Sequence, residues 1–168
     1  MDANETRFLQ LIGENKGILY KICRIYQDGP EDRNDLLQEI ILQLWLAFGS
    51  FRVESKFSSW MYRVALNTAI VFFKKQKRRP DDQQLPYDFE QAEEQSPAGE
   101  KEAQLAIFYK AVQQLSKVEK ALVYLYMENQ PYDEIAANLG ITPLNVRVRI
   151  NRVKNKLKEI IKTMNYEY

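Results

Sequence analysis

Residues 131–162, PYDEIAANLGITPLNVRVRINRVKNKLKEIIK, constrain the fold of this chain more than any other stretch. They begin with a short segment whose apolar residues share one helical face. Gly140 follows at once and can end a helix in the left-handed conformation without steric cost. Thr142 can then serve as the N-cap of a second helix, with Pro143 at its first position. The pattern predicts two helices joined by a tight turn.

The second of these helices combines a buried stripe with a basic surface. Its apolar residues recur at helical spacing: Val146, Ile150, Val153, Leu157 and Ile161. A helical hairpin whose solvated face happens to be basic is one interpretation. The capped turn, the early arginines and the scarcity of acids favour the other, a helix-turn-helix that places its second helix in the major groove of DNA.

Composition excludes several classes of chemistry. The 168 residues carry a net charge of +1 and include one cysteine and no histidine. We therefore expect no disulfide framework, no zinc site of the thiolate or imidazole type, no nucleophile–histidine pair, and neither a metal nor a cofactor. Neither a leader peptide nor an apolar run long enough to span a bilayer is found in the sequence, so we expect a cytoplasmic protein without membrane insertion.

Charge is arranged in blocks along the nearly neutral chain. Residues 52–79 hold eight basic residues against Glu54, and residues 80–102 hold eight acids against Lys101. The acidic block lacks apolar periodicity and is interrupted by prolines, which is typical of a flexible linker. We predict an all-α protein with an N-terminal helical domain (1–79), a linker (80–100) and a C-terminal helix-turn-helix domain (101–168). In the C-terminal domain, Ser116 and Glu119 have the spacing of a capping box.

Two stretches of the N-terminal domain have open interpretations. The helix predicted over 31–48 carries a polar face of Asp35, Gln38, Glu39 and Gln43, which is either simply solvated or a docking surface for a protein. The loop 49–56 and the helix predicted over 57–77 bring aromatic and basic residues together, a combination that can hold unpaired bases. Aromatic residues at helical spacing are more often core, and we assign Trp60, Val64 and Val71 to the core.

These stretches resemble the small, extracytoplasmic-function (ECF) type members of the sigma-70 family. Residues 35–39 (DLLQE) before Leu44-Trp45 are similar to the family's segment that grips the clamp coiled coil of the largest RNA polymerase subunit. Residues 57–67 (FSSWMYRVALN), leading into 77–79, are similar to its −10 element segment. Leu115, residues 134–136 and 139–141, and Val146-Arg147 are similar to its −35 reader. Val148 and Leu144-Asn145 depart from the small residues frequent there, which affects the −35 sequence preference.

The resemblance implies a role for each group of residues. Those implied to contact polymerase are Asp35, Leu36, Gln38, Glu39 and Gln43. Those implied to hold the single strand of the −10 element are Phe51, Arg52, Phe57, Trp60, Tyr62, Asn67, Lys74, Lys75, Arg78 and Arg79. In the −35 reader, we expect base contacts from Val148, Asn151 and Arg152 and phosphate contacts from Arg147, Arg149 and Lys154.

The function implied is that of a promoter-specificity subunit, monomeric when free, with core RNA polymerase and promoter DNA as its partners. An anti-sigma factor is a further hypothetical partner that rests on the resemblance alone. The alternative is a stand-alone helix-turn-helix regulator that binds duplex DNA as a dimer. An enzyme with a carboxylate site at Asp35 and Glu39 is a third and weaker reading, because no partner cluster supports it.

Overall fold

The computed structural model describes residues 2–76 and 99–165, with side chains described for 2–72 and 99–164. The acidic linker therefore lies outside the described residues for nearly all of its length. The described chain is helical, and a 3-10 turn at Phe48–Ser50 follows the second helix. The helices are α1 (Ala3–Tyr26), α2 (Pro30–Ala47), α3 (Phe57–Gln76), α4 (Glu100–Gln113), α5 (Lys117–Met127), α6 (Tyr132–Leu139) and α7 (Pro143–Asn165).

The first three helices pack on one another and form the N-terminal unit. Each contributes a stripe of apolar side chains at helical spacing, and Leu36, Ile40, Leu44 and Met61 are among those completely or almost completely shielded from solvent. Pro30 begins α2, where its missing N–H costs no hydrogen bond. Cys23 lies in this core, and burial raises the pKa of its thiol to about 12.

The last four helices form the C-terminal unit, in which α7 packs against α4, α5 and α6. The predicted capping box is present at the start of α5. The Glu119 N–H donates to the Ser116 hydroxyl at 3.2 Å, and the Ser116 N–H donates to the Glu119 carboxylate at 2.8 Å. Such a cap stabilises a helix by roughly 1 kcal/mol.

The two units touch through α1, which lies against α4 and α5, and through α3, which lies against α5. Several side chains from both sides are buried at this contact. Burial raises the pKa of Tyr26 and Tyr124, with smaller effects of neighbouring groups, and lowers the pKa of Lys120. No feature of the sequence indicates that these residues meet.

Two expectations about burial are wrong. Val71, assigned to the core, is 47% exposed, while Trp60 and Val64 are half-buried. Glu39, assigned to an exposed polar face, is only 7% exposed because it borders the buried stripe of Leu36 and Ile40 on α2. Its carboxylate accepts a hydrogen bond from the Gln43 amide at 3.1 Å.

Candidate nucleic-acid interface

The turn between α6 and α7 has the geometry that the sequence predicts. Gly140 adopts the left-handed conformation, with φ 68° and ψ 32°, and its N–H donates to the Ala136 carbonyl. The Asn145 N–H donates to the Thr142 hydroxyl at 3.2 Å, which caps the first turn of α7. The two helices of the helix-turn-helix are thus fixed at both sides of the turn.

The buried stripe of α7 determines which side chains face outward. Val146, Ile150, Val153 and Leu157 are buried against the rest of the C-terminal unit. Because residues on the opposite face of a helix project away from this stripe, the N-terminal half of α7 presents a basic surface to solvent. The exposed residues are Arg147, Val148, Arg149, Asn151 and Arg152.

Lys154 is exposed, but its ammonium group is directed at α5. It donates a hydrogen bond to the Tyr126 hydroxyl at 2.6 Å and lies 4.2 Å from the centre of that ring. This hydrogen bond links α7 to α5, and the ion pair between Lys156 and Glu119, at 3.0 Å, is a second link between the same helices. A phosphate would have to draw Lys154 away from Tyr126.

An aromatic cluster joins the N-terminal unit's loop to its helices. Phe51 lies with its ring 6.2 Å from Phe48, 5.4 Å from Phe57 and 5.2 Å from Trp60. Edge-to-face and offset pairs of this kind hold rings in fixed positions. Phe57 is buried, while Phe51 and Trp60 remain half-buried, so the loop presents pre-positioned apolar rings beside the exposed Arg52.

The residues assigned to the single strand do not all lie on an open surface. Asn67 on α3 is exposed, whereas Tyr62 is only 5% exposed and its ring centre lies 5.8 Å from that of Tyr124 in the C-terminal unit. Lys74 and Lys75 belong to α3, but their side chains lie outside the described part. Arg78 and Arg79 lie wholly outside it.

Of the residues assigned to polymerase binding, some lie at the surface of α2 and others lie in the core beneath it. Asp35 is exposed, and Gln38 and Gln43 are half-buried. Leu36 is fully buried in the core, so in this arrangement it lies beneath that surface and holds α2 in place.

Two exposed residues lie in the stretches that resemble the family but received no role from the sequence. Trp45 extends the aromatic cluster at the outer surface of α2, with its ring 5.1 Å from Phe8. Arg63, next to Tyr62 on α3, is exposed and its guanidinium Nε lies 3.4 Å from the amide oxygen of Asn138 on α6. The first could have been found from its place beside the apolar stripe of α2, and the second depends on how the two units meet.

The geometry of the described residues indicates a class of protein. A capped helix-turn-helix with exposed arginines can enter a major groove, and a ring-bearing loop beside a basic helix can hold unpaired bases. The molecule thus has the form of a helix-turn-helix DNA-binding protein that carries a second surface of aromatic and basic residues. None of the described helices is long and apolar enough to cross a membrane.

Family models cover both surfaces. Residues 11–79 match sigma-70 region 2, and residues 105–157 match sigma-70 region 4. The chain belongs to the sigma-70 family, as an ECF-type sigma factor. Sigma factors of this kind direct RNA polymerase to promoters for transcription initiation, and this is the function of the chain. The two ordered matches do not favour the stand-alone dimeric regulator.

Two sigma factors are similar in sequence to this chain over most of its length. The RNA polymerase sigma-H factor of Pseudomonas aeruginosa is 29% identical over 161 residues, which cover 88% of this chain and 81% of that protein. The ECF RNA polymerase sigma-E factor of Escherichia coli (strain K12) is 28% identical over 148 residues, with 78% and 76% covered.

Solved structures share the fold. One is the sigma factor RpoE in complex with the anti-sigma factor NepR from Bartonella quintana, with a TM-score of 0.65 and 19% identity over 94% of this chain and 96% of that one. Another is CnrH in complex with the cytosolic domain of CnrY, with a TM-score of 0.66 and 20% identity over 96% and 91%. These likenesses confirm the predicted all-α class.

Proposed function

We propose that this sigma factor works through two domains, 1–79 and 101–168, with residues 80–100 as the connection between them. The first binds core polymerase and the opened −10 strand, and the second reads the −35 element in duplex DNA. The observation that carries this proposal is the presence, in one chain and in this order, of the aromatic loop with α3 and of the capped helix-turn-helix.

For polymerase binding, we assign the solvent side of α2. The exposed carboxylate of Asp35 and the half-buried amides of Gln38 and Gln43 offer acceptors and donors to a partner. Glu39 contributes from beneath, because its carboxylate fixes the Gln43 amide. The partner for this surface is the clamp of the largest polymerase subunit, which the family resemblance supports.

For the −10 element, the aromatic cluster is the main support. A base that leaves the stack loses a few kcal/mol, and stacking on an aromatic ring returns about 1–3 kcal/mol per base. Phe51 and Trp60 are half-buried and held by neighbouring rings, so little freedom remains to be lost when a base stacks on them. Arg52 and Asn67 would supply phosphate and base-edge contacts.

For the −35 element, the exposed side of α7 offers the two kinds of contact that groove recognition needs. Asn151 and Arg152 can donate hydrogen bonds to base edges, and the apolar side chain of Val148 can contact a thymine methyl group. We assign Arg147 and Arg149, which are exposed on the same half of α7, to the phosphates that flank the groove. Lys154 can join them only by leaving the Tyr126 hydroxyl.

Holding both surfaces on one polymerase makes each contact assist the other. Once one element is bound, the other binds intramolecularly at the effective concentration that the connection sets. We therefore expect weak promoter binding by the free monomer and strong, bipartite binding by the complex with polymerase.

The same proposal covers the regulation, the chemistry and the location of the protein. One structural neighbour is a sigma factor in complex with an anti-sigma factor, which supports an anti-sigma factor as a regulator of this chain. Sigma factors are generally regulators without enzymatic activity, and we assign no reaction to this protein. Because bacterial RNA polymerase acts in the cytoplasm, we place the protein there.

Binding to core polymerase tests the proposal directly. Fluorescence anisotropy of labelled protein with bacterial core polymerase, without DNA, is expected to show tight one-to-one binding. Asp35→Ala with Gln38→Ala is expected to weaken it at least tenfold without changing duplex DNA binding. The matched control is Glu31→Ala with Asp32→Ala, which removes two exposed acids from the start of the same helix. Absence of polymerase binding, together with tight dimeric binding to a palindrome, would refute the proposal.

A further inference from the structure

The contact between α1 and the C-terminal unit is held by hydrogen bonds that span the connection between the units. The Tyr26 hydroxyl, on a side chain that is 1% exposed, donates to the Lys117 carbonyl at 2.6 Å. The Gln113 amide donates to the Arg24 and Ile25 carbonyls at 3.2 and 2.8 Å. A donor from each unit thus reaches a backbone acceptor in the other.

Charged and aromatic groups add to this contact. The Arg24 guanidinium lies 4.1 Å from the centre of the Tyr109 ring, a cation–π geometry. Lys120, buried in α5, donates to the side-chain amide oxygen of Gln113 at 3.3 Å, and its ammonium nitrogen lies 5.7 Å from the centre of the Tyr26 ring. Because polar groups removed from water are costly unless paired, these pairings favour a defined docking of the units over a loose collision.

The same contact covers a residue of the proposed single-strand surface. Tyr62 packs against Tyr124, whereas its neighbours along the exposed side of α3, Arg63 and Asn67, remain open to solvent. Arg63 itself lies within reach of the Asn138 amide on α6. In this arrangement, a base cannot stack on Tyr62 while Tyr124 lies against it.

We propose that the contact of α1 and α3 with α4 and α5 is an intramolecular latch, in which Tyr62 is shared between the latch and the single-strand surface. The C-terminal unit and the −10 strand then compete for the same side chain, and the free sigma factor is self-inhibited without a second protein. The competition rests on the proposed function, whereas the latch itself does not.

The latch has the energetics of a reversible device. It combines a few hydrogen bonds, each of modest net strength, with the buried Tyr26, Tyr62 and Tyr124 rings. Contacts between domains of one chain open and close unless they are large and apolar. A strand that binds only the open form has its apparent affinity reduced by the fraction of molecules that are closed. Loss of one latch hydrogen bond is therefore expected to raise the ratio of open to closed molecules about fivefold.

Single-molecule FRET on the full chain tests the latch without any DNA. Dyes are attached at Lys16→Cys and Lys158→Cys, two exposed positions outside both DNA surfaces. The native Cys23 stays unlabelled because it is buried and its thiol pKa is about 12. We expect a dominant high-efficiency population, a rise of about fivefold in the ratio of low-efficiency to high-efficiency molecules in Tyr26→Phe, and a larger rise in Gln113→Ala, which removes two hydrogen bonds.

The matched control is Gln114→Ala, which removes the same side-chain amide as Gln113→Ala from the next position along the chain, where the side chain is exposed. Identical FRET distributions for this control and for both latch variants would overturn the latch. Circular dichroism of each variant separates opening from loss of helix, since opening leaves the helical signal intact.

Titration with a single-stranded −10 oligonucleotide tests the competition. We expect the oligonucleotide to shift the parent protein toward low FRET efficiency and to bind the open Tyr26→Phe variant several-fold more tightly. Opened variants with the parent's strand affinity would overturn the sharing of Tyr62. If neither the parent protein nor the variants bind the oligonucleotide, the proposed single-strand surface is wrong. The latch is still tested in that case, because the FRET comparison without DNA does not depend on strand binding.

Discussion

Replacement of Gly140 by alanine isolates the conformational demand of the helix-turn-helix. Gly140 has a φ of 68°, a region that costs an L-residue roughly 1–2 kcal/mol. No heavy atom lies within 4 Å of the position that a Cβ would occupy, so no steric clash adds to this cost. Alanine also reduces the freedom of the unfolded chain by an amount worth about 0.4–1 kcal/mol. The net expectation is a loss of about 1 kcal/mol.

Gly17 provides the matched control for this substitution. It lies inside α1, where a Cβ would likewise meet nothing within 4 Å and where the backbone is helical. Alanine there is expected to stabilise the protein by about 0.5–1 kcal/mol, because glycine loses more freedom on folding. The two variants carry the same chemical change and are expected to have effects of opposite sign.

Urea unfolding followed by circular dichroism measures both effects, and thermal unfolding checks them. For a chain of this size, 1 kcal/mol corresponds to roughly 2–4 °C in Tm. Gly140→Ala is thus expected to lower Tm by about 2–4 °C, and Gly17→Ala to raise it by about 1–4 °C. Shifts of the same sign and size in both variants would refute the left-handed assignment at the turn.

Three further outcomes are expected. Arg152→Ala should weaken binding to a −35 duplex by about 1–3 kcal/mol and relax preference at one base, measured by anisotropy over single-base variants; an equal loss on every sequence would instead make Arg152 a phosphate contact. Phe51→Ala should weaken binding to the single-stranded −10 oligonucleotide by about 1–3 kcal/mol and leave −35 duplex binding unchanged, whereas equal losses on both would point to misfolding. At Glu119, burial acts to raise the carboxyl pKa, but hydrogen bonds from the Ser116 backbone and from Lys156 outweigh it and lower that pKa. This lowered pKa contributes stability above the unfolded value near 4.5 that is lost as pH falls through the folded value, so Glu119→Gln should flatten the acid limb of a stability–pH profile. An acid limb with the parent's slope in that variant would contradict the assignment.

The parts of the fold that sequence reasoning predicted are those fixed by local chemistry. The left-handed Gly140, the Thr142 cap and the Ser116–Glu119 box each depend on residues within a few positions of one another. Helical spacing also gave the inward and outward sides of α7 correctly. Local rules suffice in these cases because the competing interactions are local as well.

The parts that sequence reasoning missed depend on residues far apart in the chain. Lys154 bonds Tyr126 rather than projecting freely, and Tyr62 is covered by Tyr124, because α5 packs beside both. Glu39 lies at the border of the buried stripe of α2, where neighbouring positions on the helix differ between surface and core. Val71 lies at a similar border on α3, and the prediction that it is buried was wrong because an apolar residue beside a buried stripe need not be buried itself.

The hydrogen bonds of the latch have a consequence for how this chain can change in evolution. The acceptors for Tyr26 and Gln113 are main-chain carbonyls, at Lys117, Arg24 and Ile25. A main-chain acceptor survives any side-chain replacement that keeps the local backbone in place. The hydrogen-bonding part of the latch is therefore inherited mainly through the codons of its two donors, Tyr26 and Gln113.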